Sequence, residues 1–198
     1  MANISRVTDR IWTGGDLPYQ RGPAAMLADL ADLEAAGIGV IIDNRLECSD
    51  EDFVQRHAPG IAYVWNGQDD GGQAMPDGWF DNGVGAALSA LAEPAGGVLA
   101  HCHMGVNRGP SMAFAILLAS GWSPVEALDA IRAARPIAAI AYAGDAVDWW
   151  LRVSGAREAV VRRERAAVQA WQRTHPLDVV RIIRGVRASE SSGRPLSA

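Results

Sequence analysis

Apolar residues follow two different spacings along most of the chain. Short apolar runs typical of buried strands occur in IGVIIDN, which is rich in β-branched residues, and in IAYVWN and GGVLAHC. Between these runs the apolar residues recur at helical spacing, as in PAAMLADLADLEAAG and WFDNGVGAALSALAE. Strands that alternate with helices form a parallel sheet covered by helices. We therefore predict an α/β fold with a central, mostly parallel sheet of about four to five strands flanked by helices.

Beyond Trp122 the apolar spacing is helical only, through SPVEALDAIRAAR, AGDAVDWWLRVSG, REAVVRRERAAVQAWQRT and LDVVRIIRGV. The chain ends in small and polar residues, which predict disorder. We divide the chain into a domain over residues 1–155, a helical extension over 156–188 and a disordered tail over 189–198. The apolar side of the extension is expected to pack against the same chain in preference to a second subunit. The oligomeric state stays open.

Composition narrows the possible partners. The 198 residues carry a net charge of −5, and all 18 basic residues are arginine. An acidic balance argues against a nucleic-acid partner, because binding to phosphate backbones needs a basic face. The chain begins with charged residues and contains no apolar run of the roughly 20 residues that cross a bilayer, so we expect a cytoplasmic protein without a membrane partner. Its two cysteines are expected to be thiols in that compartment.

The segment VLAHCHMGVNRGPSMAFAILL contains the clearest chemistry. A strand brings Cys102 to the carboxyl edge of the predicted sheet, immediately before a helix, which is where ligands gather in such folds. The amides of residues 103–108 and the positive end of the helix favour an oxyanion, and the guanidinium of Arg108 suits phosphate or sulfate. The same field favours a thiolate at Cys102. His101 is expected to support the loop by hydrogen bonding, and Gly105 suits unusual backbone angles.

The motif HCHMGVNRG resembles the signature H-C-x-x-G-x-x-R of the cysteine-based protein tyrosine phosphatase superfamily. The chain length and the segment GWSPVEALDAIRAARP are similar to the compact dual-specificity branch, from about residue 5 to residue 152. The resemblance implies that Cys102 forms a cysteinyl-phosphate while Arg108 and the loop bind the phosphoryl oxygens, without a metal or cofactor. The remaining loop residues assigned to phosphate binding are His103, Met104, Gly105, Val106, Asn107 and Gly109.

By the same resemblance the chain is a phosphatase for phosphotyrosine, and also for phosphoserine or phosphothreonine, in proteins. Such a reaction needs an acid that protonates the leaving oxygen. The family takes it from the loop after the preceding strand, here NGQDDGGQAMPDG. Asp70, 32 residues before Cys102, is the favoured acid, and Asp69 is its rival. Asp77 is interpreted as a helix cap.

One departure from the family pattern concerns turnover. The family usually places serine or threonine directly after the arginine, where the hydroxyl helps the thiolate to leave, but this chain has Gly109. Ser111 is the candidate substitute. The departure raises an alternative function, a catalytically weak phosphate-binding module, beside a second alternative, a phosphatase for a non-protein phosphoester.

Two further alternatives concern the cysteines. A metal site built from His101, Cys102 and His103 is disfavoured, because side chains on adjacent positions diverge. Cys48 follows a neighbouring strand, and by resemblance to some relatives it is a candidate to pair reversibly with Cys102. A plain loop cysteine is the favoured interpretation of Cys48.

Overall fold

The computed structural model describes residues 2–94 and 96–192, with side chains described up to residue 188. Its strands are β1 (Ile4–Arg6), β2 (Ile11–Gly14), β3 (Ile38–Arg45), β4 (Ala62–Gln68) and β5 (Gly97–His101). Its helices are α1 (Pro23–Ala35), α2 (Glu51–His57), α3 (Asp77–Ala92), α4 (Arg108–Ala119), α5 (Pro124–Ala134), α6 (Ala143–Val153), α7 (Glu158–Thr174) and α8 (Val179–Ser192).

The five strands form one sheet in the order β1-β2-β5-β3-β4. β1 pairs with β2 antiparallel, and the other neighbours pair parallel. β5 is central and every one of its residues is buried, as expected of a parallel strand covered on both faces. The predicted α/β class with a mostly parallel sheet is confirmed.

Helices cover both faces of the sheet. One apolar cluster lies between the sheet and α3, α4, α5 and α6, while a smaller one lies on the face covered by α1 and α2. α4 follows β5 after the loop of residues 102–107 and is buried from Arg108 to Leu118. Because both elements are held in the core, the loop that joins them is fixed at each end.

The helical extension packs on the rest of the same chain. α7 lies against α5 and α6, where Val168 and Trp171 join the larger apolar cluster. The indole nitrogen of Trp171 donates to Asp129 Oδ1 at 2.6 Å, and the guanidinium of Arg132 stacks over its ring.

The end of the chain is only partly described. The predicted disordered tail over 189–198 lies mostly outside the described residues, although the backbone of α8 continues as a helix to Ser192. Among the helices that the structure describes, none combines the length and the apolar character needed to cross a membrane.

Candidate active site

The loop of residues 102–107 lies at the carboxyl edge of the sheet, between β5 and α4. β5 is flanked by β2 and β3, so the loop lies at the middle of this edge. The amide of Cys102 donates to the carbonyl of Gly14 at the end of β2, at 3.2 Å. Cys102 itself is only 2% exposed.

The carbonyl groups of residues 103–106 all accept hydrogen bonds from donors outside the loop. The His103 carbonyl accepts from the amide of Asp16 at 3.0 Å, and the Val106 carbonyl accepts from the amide of Ala139 at 2.7 Å. The two carbonyls between them accept from the guanidinium of Arg135. In a trans peptide the carbonyl and the following N–H point in opposite directions. The amides of residues 104–107 therefore point away from these donors, toward the inside of the loop.

These inward amides are available to a ligand. In the part of the chain that the structure describes, none of the amides of residues 104–107 donates a hydrogen bond to a protein atom. Consecutive amides of this kind form an anion-binding concavity. Gly105 makes the turn possible, because its φ is +65° and a Cβ there would lie 2.4 Å from the backbone of Gly14.

Arg108 points into the same site from the first residue of α4. It is 3% exposed, and its Nη1 donates to the carbonyls of Asn44 and Gln68 at 3.2 and 2.8 Å. Glu47, in the loop after β3, binds Nη1 and Nη2 in a bidentate pair at 2.9 and 2.8 Å. The Arg108 Nε is buried and has no hydrogen-bond partner among the described residues. The Nε edge of the guanidinium is thus left for a ligand.

The pairing of Glu47 with Arg108 shifts the pKa values of both groups. The hydrogen bond from Arg108 lowers the pKa of Glu47 to about 2. Burial lowers the pKa of Arg108, but the hydrogen bond to Glu47 and nearby negative charges outweigh burial and raise it overall. Both groups are charged at neutral pH.

Asp70 and Asp69 occupy different positions. Asp70 Oδ2 lies 3.4 Å from Arg108 Nε, and the Asp70 side chain is 33% exposed. Asp69 Oδ1 accepts from the amide of Asp70 at 2.9 Å, within their own loop. Asp77 begins α3 and pairs with Arg152. Of the three carboxylates, Asp70 is the one that reaches the Nε edge of Arg108.

Two side chains hold Asp70 Oδ1 in place. Asn107 Nδ2 donates to it at 2.7 Å, and the hydroxyl of Tyr142 donates to it at 2.8 Å. Asn107 is fixed in turn, since its Oδ1 accepts from the amide of Ala141 at 2.7 Å. Burial and the bond to Asp70 raise the pKa of Tyr142 to about 12, so its hydroxyl remains a donor at neutral pH. The side chain of Asn107 therefore supports the carboxylate of Asp70. The assignment of Asn107 to phosphate binding, through its main-chain amide, stays a prediction.

Ser111 is fully buried beside this pair. Its hydroxyl lies 3.4 Å from both Asn107 Oδ1 and the amide of Tyr142. The Ser111 hydroxyl therefore helps to hold the side chain of Asn107 in place.

Gly109 lies where α4 approaches β5 most closely. A Cβ at this position would lie 2.9 Å from the backbone of His101 and 3.0 Å from the carbonyl oxygen of Ala100. Backbone atoms cannot move aside as a flexible side chain does, so a serine here would push α4 away from the strand.

We expect Gly109→Ser to lower the free energy of unfolding by about 1–3 kcal/mol, the usual cost of overpacking, without accelerating turnover. Chemical denaturation and steady-state kinetics test this. Gly85→Ser in α3 is the matched control, because a Cβ there meets no atom within 4 Å. An equally stable Gly109→Ser variant that turns over faster than the wild type would contradict the expectation.

The two histidines of the motif point to different partners. His101 Nε2 lies 3.5 Å from Asp43 Oδ1, and His103 Nδ1 lies 2.7 Å from Asp16 Oδ2. Burial lowers the pKa of His101 below its ordinary value of 6.5, although Asp43 opposes this shift. His101 is therefore neutral at pH 7. No group of three or more His, Cys, Asp or Glu side chains suited to a metal ion occurs among the residues described.

Cys48 is exposed and Cys102 is buried, and both are free thiols in this structure. A reversible disulfide between them stays a prediction.

Three residues at the site were not identified from the sequence. Glu47 follows β3 at the carboxyl edge, a placement that the strand pattern already implied. Tyr142 and Arg135 come from the segment around the start of α6 and the end of α5, and no local pattern points to either.

Several solved structures share this fold, among them one named as a putative dual specificity phosphatase and one named as tyrosine phosphatase-like. The chain superimposes on human DUSP28 with a TM-score of 0.62 at 18% identity, over 78% of this chain and 97% of that one. It matches PTPMT1 in complex with PI(5)P with a TM-score of 0.62 at 18% identity, over 77% and 97% of the two chains. It also matches the human tyrosine phosphatase-like serine/threonine/tyrosine-interacting protein, with a TM-score of 0.57 at 14% identity, over 76% and 97%.

No family model and no curated protein matches the sequence. The chain thus has the fold of the dual-specificity branch of the cysteine-based phosphatases, as its motif predicted, and the shared fold does not by itself assign an activity.

Proposed function

We propose that this chain is a cysteine-dependent phosphatase that hydrolyses phosphate monoesters through a cysteinyl-phosphate, with phosphotyrosine proteins as the first substrate class to test. The observation that carries the proposal is the meeting of three groups at one place. Cys102 begins a loop of inward amides. The Nε of Arg108, which has no hydrogen-bond partner among the described residues, faces the same loop, and Asp70 Oδ2 lies 3.4 Å from that Nε. A nucleophile, an anion cradle and an acid are the parts that phosphate transfer to a thiolate requires.

The reaction follows from these positions. The amides of the loop and the Nε edge of Arg108 bind the phosphoryl oxygens, and the Cys102 thiolate attacks phosphorus as the ester P–O bond breaks. Asp70 gives its proton to the departing oxygen. In the second step Asp70 takes a proton from water as the water attacks phosphorus, and the P–S bond breaks to return the thiolate and inorganic phosphate.

A weakly active phosphate-binding module is the second candidate. Gly109 supports it, because the position after Arg108 offers no hydroxyl to assist the departing thiolate. A module of this kind would retain the anion cradle and would bind phosphate without turnover, or would accumulate the cysteinyl-phosphate.

Hydrolysis of an aryl phosphate by the purified protein in EDTA separates these candidates. The proposal expects multiple turnovers, while the binding module predicts either no product or a single burst. Parallel reactions with a phosphotyrosine peptide, a phosphothreonine peptide and a phosphoinositide vesicle then compare protein substrates with a non-protein phosphoester.

Asp70→Asn is expected to lower kcat by roughly 10²-fold for substrates with poor leaving groups, because the amide has no proton of suitable acidity to transfer. Asp69→Asn is the matched control, since its amide oxygen still accepts from the Asp70 N–H, and we expect its kcat to stay within about threefold of wild type. The measurement is kcat for a series of aryl phosphates of different leaving-group pKa. Equal losses in the two variants would exclude Asp70 as the specific acid.

A further inference from the structure

Arg135 joins three parts of the molecule from behind the phosphate-binding loop. It follows the last residue of α5 and is 5% exposed. Its Nε donates to the carbonyl of Gly105 at 2.6 Å and its Nη2 to that of Met104 at 3.0 Å. The same guanidinium lies 3.2 Å from Asn3 Oδ1 and 3.3 Å from Ser5 Oγ, at the start of the chain.

The bonds of Arg135 orient two central peptides of the loop. Because it holds the carbonyls of Met104 and Gly105 outward, the N–H groups of Gly105 and Val106 point inward. The planar guanidinium suits this task, since two of its donors lie side by side with fixed geometry. A lysine would hold one of the carbonyls at most.

Arg135 also carries a positive charge that no carboxylate neutralises within the described chain. All four of its hydrogen-bond partners are neutral oxygens, and none of the ion pairs among the described residues involves it. Burial lowers the pKa of Arg135, and the charge of Cys102 is the one nearby influence that opposes this shift. A guanidinium nevertheless stays protonated in proteins, so its buried charge favours a negative group nearby.

The other charged groups around Cys102 are already compensated. Arg108 pairs with Glu47 and approaches Asp70. His103 pairs with Asp16, while the neutral His101 lies beside Asp43. On the far side of His101, the fully buried Arg45 is surrounded by Asp16, Asp43 and Asp50. Among the described cations near the loop, Arg135 is therefore the one that has no carboxylate partner, and its charge is available to a thiolate.

We propose that Arg135 is a positioning residue that turns two loop amides toward the anion site and supplies a buried positive charge that favours the thiolate form of Cys102. The second role rests on the proposed function only in its choice of Cys102 as the nucleophile. Both roles also hold for a protein that binds phosphate without turnover.

Two substitutions separate the charge from the hydrogen bonds, each made in a Cys48→Ser background so that one thiol remains. Arg135→Met removes both the positive charge and the hydrogen bonds to the loop. Arg135→Lys keeps the charge but cannot donate to the carbonyls of Met104 and Gly105 at the same time. The rate at which iodoacetamide alkylates Cys102 is measured as a function of pH. Calorimetry gives the Kd for inorganic phosphate, and thermal unfolding shows whether each variant is folded.

We expect Arg135→Met to raise the apparent pKa of alkylation by about one pH unit. Arg135→Lys is expected to leave the alkylation profile within a few tenths of a unit and to weaken phosphate binding about tenfold, through the loss of one charge-assisted hydrogen bond. Lower thermal stability in both variants with unchanged alkylation profiles and phosphate affinity would indicate a structural role only and overturn the proposal. If Arg135→Met does not fold, Arg135→Lys still decides, because an alkylation pKa raised by a full unit with the charge retained would also overturn it.

The outcome is distinguishable from that of the phosphatase proposal. A wild type that never turns over an aryl phosphate, combined with the expected shift in Arg135→Met, removes the enzymatic function and leaves the role of Arg135 intact. Turnover by the wild type, with no shift of the alkylation pKa in the variants, supports the enzymatic function and removes the role of Arg135.

Discussion

Cys102→Ser is expected to lower kcat for an aryl phosphate by about 10⁴-fold or more, the scale of loss seen when a covalent nucleophile is removed. The serine hydroxyl is nearly the same size as the thiol, so the loop amides and Arg108 keep their positions. Its much higher pKa leaves almost no alkoxide at neutral pH, however strongly the loop favours an anion. Affinity for inorganic phosphate is therefore expected to persist while turnover disappears. Steady-state kinetics and calorimetry measure the two quantities separately.

Intact-protein mass spectrometry after rapid acid quenching provides the second readout. The wild type should show a phosphorylated species during turnover, and Cys102→Ser should not. Cys48→Ser is the matched control, because Cys48 is exposed and lies outside the loop, and it should retain wild-type kcat. Residual activity of Cys102→Ser within tenfold of wild type would refute nucleophilic catalysis by this residue.

Arg108→Lys should lower kcat/KM by about 10³-fold, although the charge is retained. The side chain is enclosed by the carbonyls of Asn44 and Gln68 and by the carboxylate of Glu47. An ammonium group placed there cannot satisfy these acceptors and also present two parallel donors to a phosphoryl group. Because the proposed reaction has Arg108 bind the transferring group throughout, the loss should appear in phosphate affinity as well as in kcat.

Arg152→Lys provides the comparison for this experiment. Arg152 pairs with Asp77 on the surface, where ion pairs contribute little, so its kcat/KM should stay within about twofold of wild type. Thermal unfolding of Arg108→Lys guards against a folding defect. A folded Arg108→Lys protein with kcat/KM within tenfold of wild type would mean that the loop amides alone bind the phosphate.

Much of the fold was predictable because the core strands are simple. The apolar runs that became β3 and β5 are short and are separated by segments of helical spacing, which leaves a parallel sheet as the arrangement that buries them. The position of Cys102 followed from the same pattern, since a strand that ends just before a helix places its next residue at the carboxyl edge.

The side chains that complete the site were harder to predict, because they arrive from distant segments. Tyr142 lies 72 residues from Asp70 in sequence, and only the packing of α6 brings its hydroxyl to the carboxylate. Glu47 belongs to a loop whose direction after β3 depends on a register shift between Asp43 and Arg45. Sequence periodicity contains no information on such directions.

The interpretation of Gly109 shows a different limit. Compared with the family motif, it stands out as a missing hydroxyl. The structure adds a steric reason for glycine, since the first turn of α4 lies against the backbone of His101 and Ala100. A motif records which residue types recur, whereas the distance between a helix and a strand is a property of the particular chain.

The packing of Trp171 has a consequence for the order in which the chain is made. All the residues that meet at the site have left the ribosome once Tyr142 has emerged. The apolar faces of α5 and α6, however, stay uncovered until α7 arrives with Val168 and Trp171. A nascent chain therefore holds every residue of the site before it holds a closed core, and domains generally fold as units. Synthesis of the last helices thus sets the moment at which Cys102 is first held in its finished position.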